Sequence, residues 1–161
     1  MNEPARRMTI WIDADATPRD VKDIVFRAAN RLGIPTVLVA NQRVETPIAN
    51  PLISAVRVNG GPDVADQYIV DHAESGDLVV TQDIPLAALL VPRQITVLDP
   101  RGEEHTEETI GERLSIRNLM ESFRGAGVET GGPAPWDTRS KQAFASALDR
   151  ALTRMRRRSG G

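Results

Sequence analysis

Residues 8–33 read MTIWIDADATPRDVKDIVFRAANRLG, and this stretch decides the fold. MTIWID is a short apolar run ending in an acid, the pattern of a buried strand. Thr17 stands where an N-cap is expected, Pro18 suits the first helical position, and Asp20 completes a capping-box-like pattern. Behind them Val21, Ile24, Val25, Ala28, Ala29 and Leu32 recur at helical spacing until Gly33 stops the helix.

The same alternation continues outward. TVLVA (36–40) is a second apolar strand, followed by a polar stretch from Asn41 to Pro51 and a third strand, AVRV (55–58). Gly60-Gly61-Pro62 breaks the chain before a helix from about Asp63 to Glu74. LVVT (78–81) and ITVLD (95–99) are further strands, with a short helix, IPLAALLV, between them. A helix is expected from Thr106 to Phe123, with Ile110, Leu114 and Phe123 among its buried positions. Residues 125–137 form a Gly/Pro-rich link, and a last helix runs from about Thr138 into an arginine tail. Apolar strands alternating with amphipathic helices indicate an α/β domain with a central, mostly parallel sheet covered by helices on both faces. That domain is expected over residues 8–124, after a disordered 1–7, with 138–161 packed on it as helix and basic tail.

Composition narrows the function. The chain has 161 residues, 40% hydrophobic and 26% charged, which suits one globular domain with a real core. No run approaches the roughly 18 apolar residues a membrane span needs, and the apolar run behind the N-terminal arginines is too short for a signal peptide. Without cysteine there are no disulfides or thiolate metal sites, which fits a reducing compartment, and a cytoplasmic protein is expected. A formal net charge of −2 is not the footprint of a general nucleic-acid binder. From Lys141 onward, however, six basic residues face the single acid Asp149. A solvated helix end beside its C-terminal dipole explains that tail most cheaply, and contact with phosphates is the alternative.

The aspartates carry the chemistry. In open parallel sheets, ligands bind outside the carboxyl ends of the strands, where strand order reverses. Asp13 ends the first strand and Asp83 follows the fourth, so neighbouring strands would project both into one crevice. Asp15 lies in the strand-to-helix loop, and Asp63 and Asp66, at i and i+3, share one face at the start of their helix. Carboxylates this close repel unless some are protonated or a cation neutralises them, and Mg²⁺ or Mn²⁺ suits an all-oxygen donor set. Such an ion activates water and clamps phosphate, which suggests phosphoester hydrolysis. Plainer roles compete: Asp83 and Asp63 as N-caps, Asp66 as a first-turn acid. With Thr17 as the cap, Asp13 and Asp15 have no such role. Asn41 and Thr81 are polar groups for the crevice, and Arg117 and Arg124 are candidates for substrate phosphate, with salt bridges the commoner fate of arginines there. His72, on another helical face, and His105, in a polar turn, lack metal-ligand partners.

The motifs WIDADATP, LVAN, NGGPDVADQYIV, DLVVTQDIPLAALL, VLDPRG, RNLMESFRGAG and GGPAPW, in this order from Thr9 to Leu152, resemble the bacterial YaiI/YqxD family. The resemblance implies a PIN-like three-layer fold, whose best-known members are metal-dependent ribonucleases. It implies metal ligation and catalysis by Asp13, by Asp66 (Asp63 the alternative) and by Asp83 of Thr81-Gln82-Asp83. The pattern's further acid on an early helix has no clear counterpart, with Glu45 and Asp15 as substitutes. The leading expectation is a Mg²⁺- or Mn²⁺-dependent nuclease acting on a short or structured RNA, engaged partly by the arginine tail. One rival is a non-catalytic PIN-like module that binds nucleic acid or protein. Another is a haloacid-dehalogenase-type phosphatase, since Asp13-Ala14-Asp15-Ala16-Thr17 matches its D-x-D-x-T start with Asp13 as nucleophile. That mechanism needs a core lysine, and neither Lys22 nor Lys141 is well placed.

Overall fold

The computed structural model describes residues 7–47, 49–131 and 134–158. The expected disorder of residues 1–7 therefore falls almost wholly outside the described residues. All four residues of β1 (Ile10–Asp13) are buried, because parallel neighbours flank the strand and helices cover both of its faces. Ile10 and Ile12 point to one side, into a core shared with Val21 and Val25 of α1 (Arg19–Leu32) and Phe144 and Leu148 of α5 (Thr138–Arg158). Trp11 points to the other side, against Ala65 and Ile69 of α2 (Pro62–His72) and Leu86 of α3 (Ile84–Leu90). This second layer is completed by Ile110 of α4 (Glu107–Gly125). The result is the expected three-layer α/β arrangement.

The other strands are β2 (Thr36–Ala40), β3 (Ile53–Arg57), β4 (Leu78–Val80), β5 (Thr96–Leu98) and β6 (Glu104–His105). Their order is β3-β2-β1-β4-β5-β6, parallel except for the β5–β6 pair. The chain builds outward from β1 through β2 to β3, then returns to β4 on the other side of β1. Strand order therefore reverses between β1 and β4, which opens a crevice at their carboxyl ends.

Four expectations need correction. Pro18, not Thr17, is the N-cap of α1 and makes no side-chain cap; the Thr17 hydroxyl instead donates to the Asp13 carbonyl at 2.7 Å. The sequence reading omitted β6, a two-residue antiparallel edge strand. His105 lies in that strand rather than in a polar turn, and it is only 4% exposed. On α4, Ile110 is buried as expected and Leu114 is half-buried, but Phe123 is 41% exposed because the distal half of the helix overhangs the layer beneath it.

In the last part of the link, the Trp136 indole donates to the Pro100 carbonyl at 2.9 Å and Arg101 donates to the Ala134 carbonyl, which docks the start of α5 beside the β5–β6 turn. Gly102 in that turn has φ +94°, and a Cβ there would lie 2.7 Å from the Ala143 carbonyl oxygen, so α5 packs where no side chain fits. The arginine end of α5 lies at the opposite edge of the sheet from the crevice. Arg154 pairs with both Glu104 oxygens at 2.9 Å, and Arg154 and Arg158 border a cavity with Gly76, ahead of β4, and Thr96, the first residue of β5. Among the described residues, no helix is long and apolar enough to cross a membrane.

Candidate functional site

The alternation along β1 that turns Trp11 toward α2 turns Asp13 the same way, and Thr81 follows Val79 on β4 to the same face. Their side chains meet: the fully buried Thr81 hydroxyl donates to Asp13 at 2.9 Å. The same hydroxyl oxygen accepts the backbone N–H of Asp83 at 3.0 Å. One threonine thus fixes both aspartates. Asp83 also caps α3, accepting the Leu86 N–H at 3.0 Å, so its plain structural role is real, although that bond occupies one carboxylate oxygen. Asp66 arrives from α2, where the buried neighbour Ala65 seats the helix on the sheet.

Asp13, Asp66 and Asp83 line one crevice of about 450 Å³, together with Asp15, Asn41 and Arg117. Burial raises the Asp13 carboxyl above its ordinary range; the Thr81 hydrogen bond opposes this, and the charges of Asp83 and Asp15 reinforce it. Asp66 is pushed up to about 7, first by burial, then by its hydrogen bond to Asp83 and the charges of Asp83, Asp13 and Asp63. Burial beside Asp83, Asp13 and Asp63 therefore keeps Asp66 protonated up to about pH 7.

The remaining candidates separate. Asp15 is exposed and tied down, accepting the Asn41 N–H at 2.7 Å and its side-chain amide at 3.4 Å. Asn41 in turn accepts the Gly61 N–H at 3.0 Å, so it braces the start of α2 and offers little to a substrate. Asp63 is exposed in the first turn of α2, outside the crevice lining, and reaches Asp66 only through its charge. Arg117 lines the crevice while paired with Glu121 at 2.8 Å. Arg124 does not line it; its guanidinium reaches Thr130 at 3.4 Å at the far end of α4. Glu45 borders a neighbouring groove, so Asp15 is the substitute for an early-helix acid that remains at the crevice.

Sequence reasoning passed over Gln82, which lines the crevice and donates to the Ala16 carbonyl, tying the β4 loop to the loop after β1. Its position inside Thr81-Gln82-Asp83 was the available signal. His72 plays no part in the site: it stacks on Tyr68 with ring centroids 3.9 Å apart.

Among the described residues no group of three or more His, Asp or Glu side chains stands close enough to hold a metal ion. The donor chemistry still suits a hard divalent cation. Mg²⁺ keeps several waters and commonly takes only one or two carboxylates plus substrate phosphate, so the Asp66–Asp83 pair with Asp13 beside it meets that requirement.

The fold and site define a three-layer α/β protein with an acidic crevice at the switch point of a mostly parallel sheet. Residues 11–154 match the family described as "Uncharacterized BCR, YaiI/YqxD family", and the chain belongs to that family. It is 57% identical to a UPF0178 protein of Bordetella petrii over 145 residues, 90% of this chain and 96% of that one. A UPF0178 protein of Myxococcus xanthus is 54% identical over 148 residues, covering 92% and 96%.

Proposed function

We propose that this protein is a Mg²⁺- or Mn²⁺-dependent nuclease that hydrolyses phosphodiester bonds in RNA. The observation that carries the reading is the convergence of Asp13, Asp66 and Asp83 on one crevice, where Asp66 keeps its proton until about pH 7. As that proton leaves, Asp66 and Asp83 become a pair of anionic oxygen donors. Asp13, oriented by Thr81, adds negative charge from the floor of the crevice. A divalent ion, when bound, supplies charge stabilisation at the phosphate and lowers the pKa of water. Arg117, on the crevice wall, is placed to meet a non-bridging phosphate oxygen if it exchanges Glu121 for substrate. The arginine tail takes no part, since it lies at the other edge of the sheet.

The phosphatase alternative gains nothing from the geometry. No lysine borders the crevice among the described residues, and Asp15, the second acid of the D-x-D-x-T start, is tied to Asn41.

The test is a calorimetric Mn²⁺ titration of the wild type and Asp13→Asn, followed by incubation of both with a pool of structured RNAs. Binding with cleavage, both weakened in the variant, is expected. Binding without cleavage would favour a non-catalytic module, and absence of binding would remove the metal site.

A further inference from the structure

Arg19, Lys22, Asp23 and Phe26 lie at i, i+3, i+4 and i+7, on one face of α1. That face forms one wall of a groove of about 570 Å³, and the chain after β2, from Gln42 to Pro47, forms the other. The groove adjoins the aspartate crevice, and Asp15 borders both. Three cations line it: Arg19, Lys22 and Arg43. Among the described residues no hydrogen bond or ion pair engages any of their side chains. Elsewhere, Arg113 pairs with Glu103, Arg117 with Glu121, Lys141 with Asp20 and Arg154 with Glu104. Lys22 is half-buried, and so is the Phe26 ring, which leaves one part of the phenyl group for the core and another for the groove.

Unpaired cations, an aromatic surface and a volume within the range of small-ligand sites describe a seat for one nucleotide. We infer that this groove binds the nucleotide next to the scissile phosphate of single-stranded RNA, with Arg19, Lys22 and Arg43 on its phosphate and Phe26 against its nucleoside. The direction of the strand rests on the nuclease reading above; the binding itself does not. The carboxylates of Asp15, Asp23 and Glu45 offset the three cations in formal charge, which keeps the site local rather than a broad basic footprint. An acidic protein can in this way hold a short substrate without an extended basic surface.

The probe is a fluorescein-labelled octauridylate, titrated by anisotropy in EDTA so that neither metal nor cleavage contributes. Wild type should bind. Lys22→Glu and Arg43→Glu should each weaken binding at least tenfold, while Arg156→Glu with Arg157→Glu in the tail should change it less than twofold. Because phosphate contacts release counterions at roughly 0.7 per contact on single strands, Lys22→Glu should also flatten the salt dependence. Arg43→Glu alters an exposed loop residue, so its result stands even if the α1 variant folds poorly. Unchanged affinity in Arg43→Glu and a folded Lys22→Glu, or no binding by wild type, overturns the inference. Mn²⁺ titration of the same variants separates the two readings: intact Mn²⁺ binding and cleavage beside unaltered oligonucleotide affinity would sink the groove and keep the nuclease.

Discussion

The sheet has a buried carboxylate at one edge and a crowd of carboxyls at the other. At the amino edge, Asp77 is fully buried, just before β4. It accepts the Thr9 N–H at 2.9 Å, the Trp11 indole N–H at 3.0 Å and the Glu74 N–H at 2.9 Å. Donors placed by the fold replace water there, and these hydrogen bonds knit β1 to β4. At the carboxyl edge, Asp13 has the Thr81 hydroxyl and Asp83 a helix-cap N–H, while Asp66 is hydrogen-bonded to Asp83. Few donors face these oxygens, and burial and neighbouring charge raise the proton affinity of Asp13 and Asp66. The same residue type holds the fold at one end and is left short of partners at the other. A carboxyl that the fold does not satisfy is one that a ligand can.

The contrast is broken most forcefully at Asp77. Asp77→Ala leaves the buried Trp11 indole N–H and the part-buried N–H groups of Thr9 and Glu74 without their acceptor, and a loss of roughly 3 kcal/mol is expected from urea denaturation. Asp13→Asn, by comparison, should leave the urea midpoint nearly unchanged; an equal loss there would erase the distinction between the edges. Next in size is Thr81→Val, which keeps the shape but removes the hydroxyl that orients Asp13 and Asp83. Groups behind metal ligands are typically worth about 10–100-fold in metal affinity or activity, and a loss of that order in Mn²⁺ titration is expected. The smallest effect is on pH dependence. Between the ordinary carboxyl value of 3.8 and about 7, folded Asp66 holds a proton that the unfolded chain has released. Stability of the metal-free protein should therefore fall as pH rises through that window and level off above it. Asp13 and Asp99 are also raised, each chiefly by burial, so Asp66→Asn should make the slope shallower without abolishing it. Thermal melts in EDTA at pH 5.5 and 8 read this directly. Mn²⁺ should reverse the trend, raising the melting temperature more at pH 8, because the proton must leave before the ion binds.

The carboxyl edge was legible in the sequence because each of its acids follows or precedes an element with a clear period. Asp13 closes IWID, Asp83 follows LVVT, and Asp66 sits one turn into a helix announced by Gly60-Gly61-Pro62. The amino edge was not. Asp77 stands in ESGD, which reads as a polar turn, and only the return of β4 beside β1 brings Trp11 and Thr9 to it. The strand β6 escaped for a related reason, since Glu104 and His105 carry no apolar period and pairing with β5 alone makes them a strand. The arginine tail could be counted but not placed, because charge along a helix does not say which edge of the sheet the helix runs toward. Thr17 misled: Pro18 took the cap, and the Thr17 hydroxyl turned back to the Asp13 carbonyl.

Trp11 joins the amino edge of the sheet to α2. Its indole N–H is fixed on Asp77, while its ring lies 6.3 Å from Tyr68 and 6.4 Å from His72, on the helix that carries Asp66. The chain has two tryptophans, and the other, Trp136, belongs to the opposite layer, bonded to Pro100. Replacing Trp136 with phenylalanine would therefore leave a single fluorophore anchored on Asp77 and packed against α2, the helix that carries Asp66. Its emission would be a built-in gauge of any movement of α2 as the crevice loses its proton or takes up a ligand.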